Sequence, residues 1–130
     1  MMNQMSPSEL QNLLKVIPTL PESQLRDLYA SLEEHEQIKS REDARNNFMD
    51  FVHKVWPNFT DGAHHARMAK AFERVANGEC KRLIINMPPR HTKSEFASYL
   101  LPAWFLGKFP HKKVIQTSHT AELAVGFGRK

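Results

Sequence analysis

Apolar residues in the first part of the chain recur at helical spacing. Leu10, Leu13 and Leu14 share one face, and Ser6-Pro7-Ser8-Glu9 ahead of them is a helix start. It offers a capping serine, a proline suited to the first helical position and a glutamate able to close a capping box. Pro18 and Pro21 end that helix and open another, whose stripe is Leu25, Leu28, Tyr29 and Leu32. The polar run Glu33–Asn47 continues as helix with a break near Lys39–Arg41. Phe48, Phe51, Val52 and Val55 then resume a buried stripe that ends at Trp56-Pro57. Residues 1–57 are therefore expected to be a helical N-terminal segment.

From residue 58 the pattern changes. Asn58–Ala63, with Asp61-Gly62, is a turn-rich break. A helix from His64 or His65 buries Met68, Phe72 and Val75, and Asn77-Gly78 ends it, with Gly78 free to turn left-handed. Leu83-Ile84-Ile85 is short, apolar and partly β-branched, the pattern of a buried strand. Pro88–Thr92 is a loop. Lys93–Gly107 has a helical pattern with Phe96, Leu100 and Ala103 or Trp104 inward and a kink at Pro102. Lys112–Ser118 is a second strand, after which Thr120 caps a helix over Ala121–Lys130. This order predicts an α/β fold, a parallel sheet with helices packed on it. Two strands do not complete such a sheet, so the expectation is a domain that continues past Lys130.

Composition adds limits. The 130 residues are 41% apolar and 25% charged, ordinary for a globular domain. No apolar run approaches the ~20 residues that span a bilayer, and Met1–Met5 lacks a secretory-signal pattern. Cys80 is the single cysteine, which excludes an internal disulfide, disfavours a cysteine zinc site and suits a reducing compartment. The seven histidines are scattered rather than set at metal-ligand spacing. Charge is unevenly spread: residues 1–50 hold nine acidic and five basic residues, and residues 51–130 five and thirteen. The +8 half suits a polyanion, triphosphate or DNA. An ordinary solvated surface fits the same charge equally well.

The candidate chemistry lies in that basic half. A standard phosphate loop, G-x-x-x-x-G-K-[ST] between strand and helix, aligns with Met87-Pro88-Pro89-Arg90-His91-Thr92-Lys93-Ser94. The Lys-Ser pair is present, but Met87 and Thr92 replace both glycines. The chemistry needs backbone N–H groups and a helix N-terminus facing the phosphates. Lys93 would reach the β and γ phosphates, Ser94 would coordinate Mg²⁺, and Arg90 could stabilise charge on the transferring phosphoryl group. Thr92 is the difficulty, because a β-branched residue resists positive φ. A helix start that merely carries Lys-Ser after an apolar run has the same local pattern.

Asn86-Met87-Pro88-Pro89-Arg90-His91-Thr92-Lys93-Ser94-Glu95 resembles the ATP-binding motif of tailed-phage terminase large subunits, which commonly show a PPRHGKSE-like loop. The likeness extends upstream through His64-His65-Ala66-Arg67-Met68 and downstream through Leu101–Gly107 and Lys113–Ser118, covering roughly residues 45–130. Thr92 stands where that family usually has glycine, a departure that bears on hydrolysis more than on binding. The resemblance implies an incomplete P-loop NTPase sheet of the RecA/ASCE type over residues 58–130, ending before the acidic strand motif and the nuclease domain. It implies ATP and Mg²⁺ as cofactors, held by Pro89, Arg90, His91, Thr92, Lys93, Ser94 and Glu95. Lys93 and Arg90 would be catalytic, Ser94 the metal contact, and His64 or His65 would sit on the adenine side. A histidine pair opening a helix is also a common surface feature. Implied partners are double-stranded DNA, the portal protein, the small terminase subunit and further copies in a homo-oligomeric motor. The setting would be the host cytoplasm, without a membrane.

Such an ATPase needs an Asp for Mg²⁺ and a Glu to orient water at a strand end, and no apolar run here ends in Asp-Glu. Glu95 follows the loop directly and is a poor substitute, and no carboxylate cluster suggests nuclease metals. The chain alone is therefore expected neither to hydrolyse ATP efficiently nor to cut DNA. Ser118 beside His119 lacks an acidic orienter for nucleophilic catalysis. Thr117–Thr120 suits a DNA contact or simply a helix cap at Thr120. Two other readings stay open: a piece of another nucleic-acid-dependent, helicase-like ATPase, and a non-catalytic interaction module.

Overall fold

The computed structural model describes residues 20–129, so the helix expected after Ser6 lies outside the described residues. The chain divides after Lys39 into two compact units. Helix α1 runs Glu22–Asn46, α2 Phe48–Val55 and α3 Ala63–Ala76. A π-helical stretch, Glu95–Leu100, leads into α4, Leu101–Lys108, and α5 covers Ala121–Arg129. None of the described helices is long and apolar enough to cross a membrane.

The break expected near Lys39–Arg41 is absent, and α1 is one helix of 25 residues. Its residues Glu33–Arg45 are mostly good helix formers, with no Gly or Pro. In the first unit its apolar stripe stays largely in solvent, with Tyr29, Leu32 and Ile38 exposed.

The core of the second unit is aromatic. Asn47 turns α1 into α2: it adopts extended dihedrals, and its Oδ1 accepts from the Asp50 N–H at 3.1 Å. An asparagine cap satisfies one of the N–H groups that a helix start leaves unpaired. The Phe48 N–H is taken by Glu73 Oε1 of α3 at 2.9 Å. The Phe48 ring is fully buried and meets Phe72, Phe96 and Trp104 edge to face, at centroid distances of 5.2, 5.6 and 5.4 Å. This geometry sets the positive edge of one ring against the negative face of the next. Trp104 buries its ring yet keeps a partner, since Nε1–H donates to the Ala44 carbonyl at 3.0 Å. The expected inward positions Phe48, Val52, Met68, Phe72, Phe96, Leu100 and Trp104 are buried, Phe51 and Val75 are half-buried, and Val55 is exposed.

The parallel-sheet α/β expectation is overturned. The described residues form helices and no strand. Leu83–Met87 and Lys112–Ser118 are instead segments without strand pairing, with Ile84 85% and Ile115 91% exposed. An apolar β-branched run makes a strand only when neighbouring backbone completes its ladder and covers its faces. In the first segment, Ile85 and Met87 lean on the aromatic core while Ile84 and Asn86 are exposed. A P-loop NTPase sheet is therefore not the frame of these residues.

At Pro102, where a kink is expected, the helix carries a wider turn. The Leu101 N–H reaches back five residues to the Phe96 carbonyl, the π-helical pattern. Proline has no N–H for the carbonyl four residues back, here Ser98, and its ring crowds that carbonyl. The widened turn relieves the crowding, and the Gln116 side-chain amide donates to the Ser98 oxygen at 2.8 Å. Gln116 thus ties the 113–118 segment to the helix. Gln116→Ala is expected to lower unfolding stability by about 1 kcal/mol, read as a shift in the urea midpoint. No shift would show that water replaces this bond without loss.

Candidate functional site

The site begins at Gly62. This residue caps α3 in an extended conformation, and its N–H donates to Nδ1 of His65, three residues on, at 2.9 Å. A Cβ at position 62 would fall 2.8 Å from Cε1 of His64, closer than side chains pack. The absence of a side chain lets the two histidines fold over the helix start. His65 is 6% exposed, its ring against Phe59 at 4.7 Å and Phe96 at 4.9 Å, two rings that also meet each other at 5.3 Å.

The other nitrogen of His65 reaches the loop. Nε2 lies 2.6 Å from Oγ1 of Thr92, and that hydroxyl donates to the His91 carbonyl at 2.7 Å. Because Nδ1 accepts from Gly62, the network assigns the proton to Nε2, which donates to Thr92. His91 closes the turn from the other side, its Nδ1 2.9 Å from the Pro89 carbonyl. Arg90 and Thr92 both stand in the left-handed region, at φ 64 and 55. For residues with a Cβ that conformation costs roughly 1–2 kcal/mol each. The difficulty foreseen at Thr92 is thus resolved in favour of a strained turn held by a buried side chain.

Pro88 through Glu95 line a shallow depression of about 480 Å³. Lys93 and Ser94 occupy its helical edge and Arg90 its turn. Neither Arg90 nor Lys93 forms an ion pair among the described residues. Left-handed residues in a turn are how successive backbone N–H groups come to face one concave side, the geometry of an anion nest. Among the described residues no three His, Cys, Asp or Glu side chains come together to hold a metal. A magnesium ion brought with a triphosphate would find the Ser94 hydroxyl, a hard oxygen donor suited to it.

The two candidate adenine-side histidines part company. His65 lies beneath the loop. His64, with its ring 3.8 Å from His65 and 5.8 Å from His91, lines a separate cleft of about 460 Å³ with Arg67, Met68 and residues 83–87. Glu95 also borders an apolar groove with Trp56 and Tyr99. Thr120 caps α5, its Oγ1 accepting from the Leu123 N–H at 3.3 Å.

Burial, and secondarily the nearby His64, holds the His65 pKa below its usual 6.5; Asp61 opposes that shift and His91 reinforces it. A histidine kept neutral in the fold confers stability that is complete above its unfolded pKa. That stability is lost as pH falls through the folded value. The urea midpoint is expected to drop as pH falls below the ordinary histidine value of 6.5, and His65→Phe to flatten the drop. An unchanged pH slope in that variant would exclude His65 as its source.

The His65–Thr92 bond and the Gln116–Ser98 bond were not legible in the sequence. Each joins residues many positions apart, 27 in the first case and 18 in the second. The one local signal was Pro102, which announces an orphaned carbonyl but not its partner. No protein-family model, curated protein or solved structure matches this chain.

Proposed function

We propose that the loop Pro88–Glu95 binds the phosphates of Mg-ATP, as the nucleotide-binding part of a DNA-packaging motor like the terminase large subunits its motif resembles. The observation that carries this reading is the turn at Arg90–Thr92. It adopts two left-handed non-glycine conformations directly before Lys93-Ser94 at a helix start. Strain of that kind persists where the surroundings over-determine it, and it clusters at ligand sites. Lys93 would neutralise the β and γ phosphates, and the helix dipole adds to the same field. Ser94 would contact the magnesium, and Arg90 would lie beside the transferring phosphoryl group. The cleft holding His64 and Arg67, next to the loop, is the place for the base. The +8 balance of residues 51–130 suits double-stranded DNA as the second polyanion.

This reading rests on the loop and the helix after it, without a sheet behind them. The exposed Ile84 and Ile115 favour a second reading, a module that works by docking onto another protein. Titrating the chain with a non-hydrolysable ATP analogue and Mg²⁺ separates the two. Saturable binding that Lys93→Ala weakens supports the nucleotide site, and undetectable binding leaves the docking module.

A further inference from the structure

We propose that His65 is a positioning residue for the phosphate loop: its Nε2–H holds the Thr92 hydroxyl and thereby keeps the loop in the left-handed turn where glycine would stand unaided. The idea rests on the phosphate-binding reading and deepens it.

A standard phosphate loop has glycine before its lysine, a residue that enters positive φ without steric cost. Here that position is Thr92, at φ 55. A β-branched residue left to itself would abandon that conformation. Its hydroxyl, however, is fixed on both sides, accepting from His65 Nε2 at 2.6 Å and donating to the His91 carbonyl at 2.7 Å. His65 is a rigid post for this bond. Its ring packs in a three-ring cluster with Phe59 and Phe96, and its second nitrogen is taken by the Gly62 N–H. The start of α3 therefore sets the path of the backbone one residue before Lys93. The same arrangement explains why a polar ring lies 6% exposed among aromatic residues, since both its nitrogens are satisfied.

The test is a coupling experiment on the full chain, with Mg-ATP affinity measured by calorimetry. His65→Phe keeps an aromatic ring against Phe59 and Phe96 and removes both bonds. Thr92→Val keeps the β-branch and removes only the hydroxyl. Each should weaken binding by about 3- to 10-fold, the range one neutral hydrogen bond supplies. Thr92→Gly should bind at least as tightly as the wild type, and adding His65→Phe to it should cost nothing further. Equal losses in the threonine and glycine backgrounds would reduce His65 to a packing residue and overturn the proposal, as would no loss in the threonine background.

A ligand-free measurement keeps the two ideas apart. In the imidazole ¹⁵N spectrum His65 should carry a slowly exchanging proton on Nε2, and Thr92→Val should release it and shift the Arg90–Lys93 backbone resonances. A rapidly exchanging Nε2, or an unmoved loop, overturns the latch even where ATP binds. Wild-type chain that shows the protected proton but no affinity for ATP overturns the phosphate reading instead, and with it the role in nucleotide binding given to the latch. Should His65→Phe fail to fold, Thr92→Val and Thr92→Gly decide the matter alone.

Discussion

Lys93→Ala is expected to weaken Mg-ATP binding by roughly 10- to 100-fold while leaving the fold intact. The magnitude follows from the kind of bond lost. Hydrogen bonds to charged groups contribute about 1.5–3 kcal/mol, and about 1.4 kcal/mol is a factor of ten in affinity. The fold should survive because Lys93 lies outside the aromatic core and forms no ion pair among the described residues. Alanine is also a strong helix former at a helix start. Calorimetric titration reads the affinity and far-ultraviolet circular dichroism the helix content. Raising salt should weaken the wild type more than the variant, because the lysine's attraction for phosphate is electrostatic and screened. Unchanged affinity in Lys93→Ala would remove the phosphate-site assignment.

Phe48→Ala is expected to be the most damaging single change to the second unit, at about 3–5 kcal/mol. Phe48 is fully buried and meets three other aromatic rings edge to face, so its removal leaves a cavity bordered by Phe72, Phe96 and Trp104. Small domains have total stabilities near the low end of about 5–15 kcal/mol, so little margin should remain and a measurable fraction should be unfolded at ambient temperature. Phe96 carries the effect to the loop, because the same ring packs on His65. Binding should therefore fall with the folded fraction. Urea denaturation provides the measurement, and a loss below about 1 kcal/mol would show that the core does not centre on Phe48.

The helices were legible to the extent that local rules decide them. Phe48–Val55 and Ala63–Ala76 declare themselves through an apolar stripe and, in the second, through Gly78, at φ 80, that ends it; the cap at Asn47 lies in a run read as helix and was seen only in the fold. Phe96, Leu100 and Trp104 fall inward because residues about four apart share a face. The two proposed strands fail for the opposite reason. Leu83–Ile85 and Val114-Ile115 have strand composition, but a strand is a relation between segments, and no segment among those described completes a ladder with them. Exposure of Ile84 and Ile115 records that difference.

The loop divides in the same way. Its chemistry was written in the order of residues: Arg90, Lys93 and Ser94 around a turn, with Thr92 flagged as the residue least suited to the backbone required. By itself the sequence determined that most of the described residues outside the two apolar runs are helical, where Ala63–Ala76 ends, most of the side chains that face the aromatic core, and which cations meet at one loop. Local backbone preferences and side-chain periodicity suffice for those. Only the tertiary structure decided that no sheet forms among the described residues, that Gln116 takes the carbonyl Pro102 leaves, and that His65 grips Thr92. Each of those depends on groups brought together across 18 or more residues, and no local pattern specifies which distant partner will arrive.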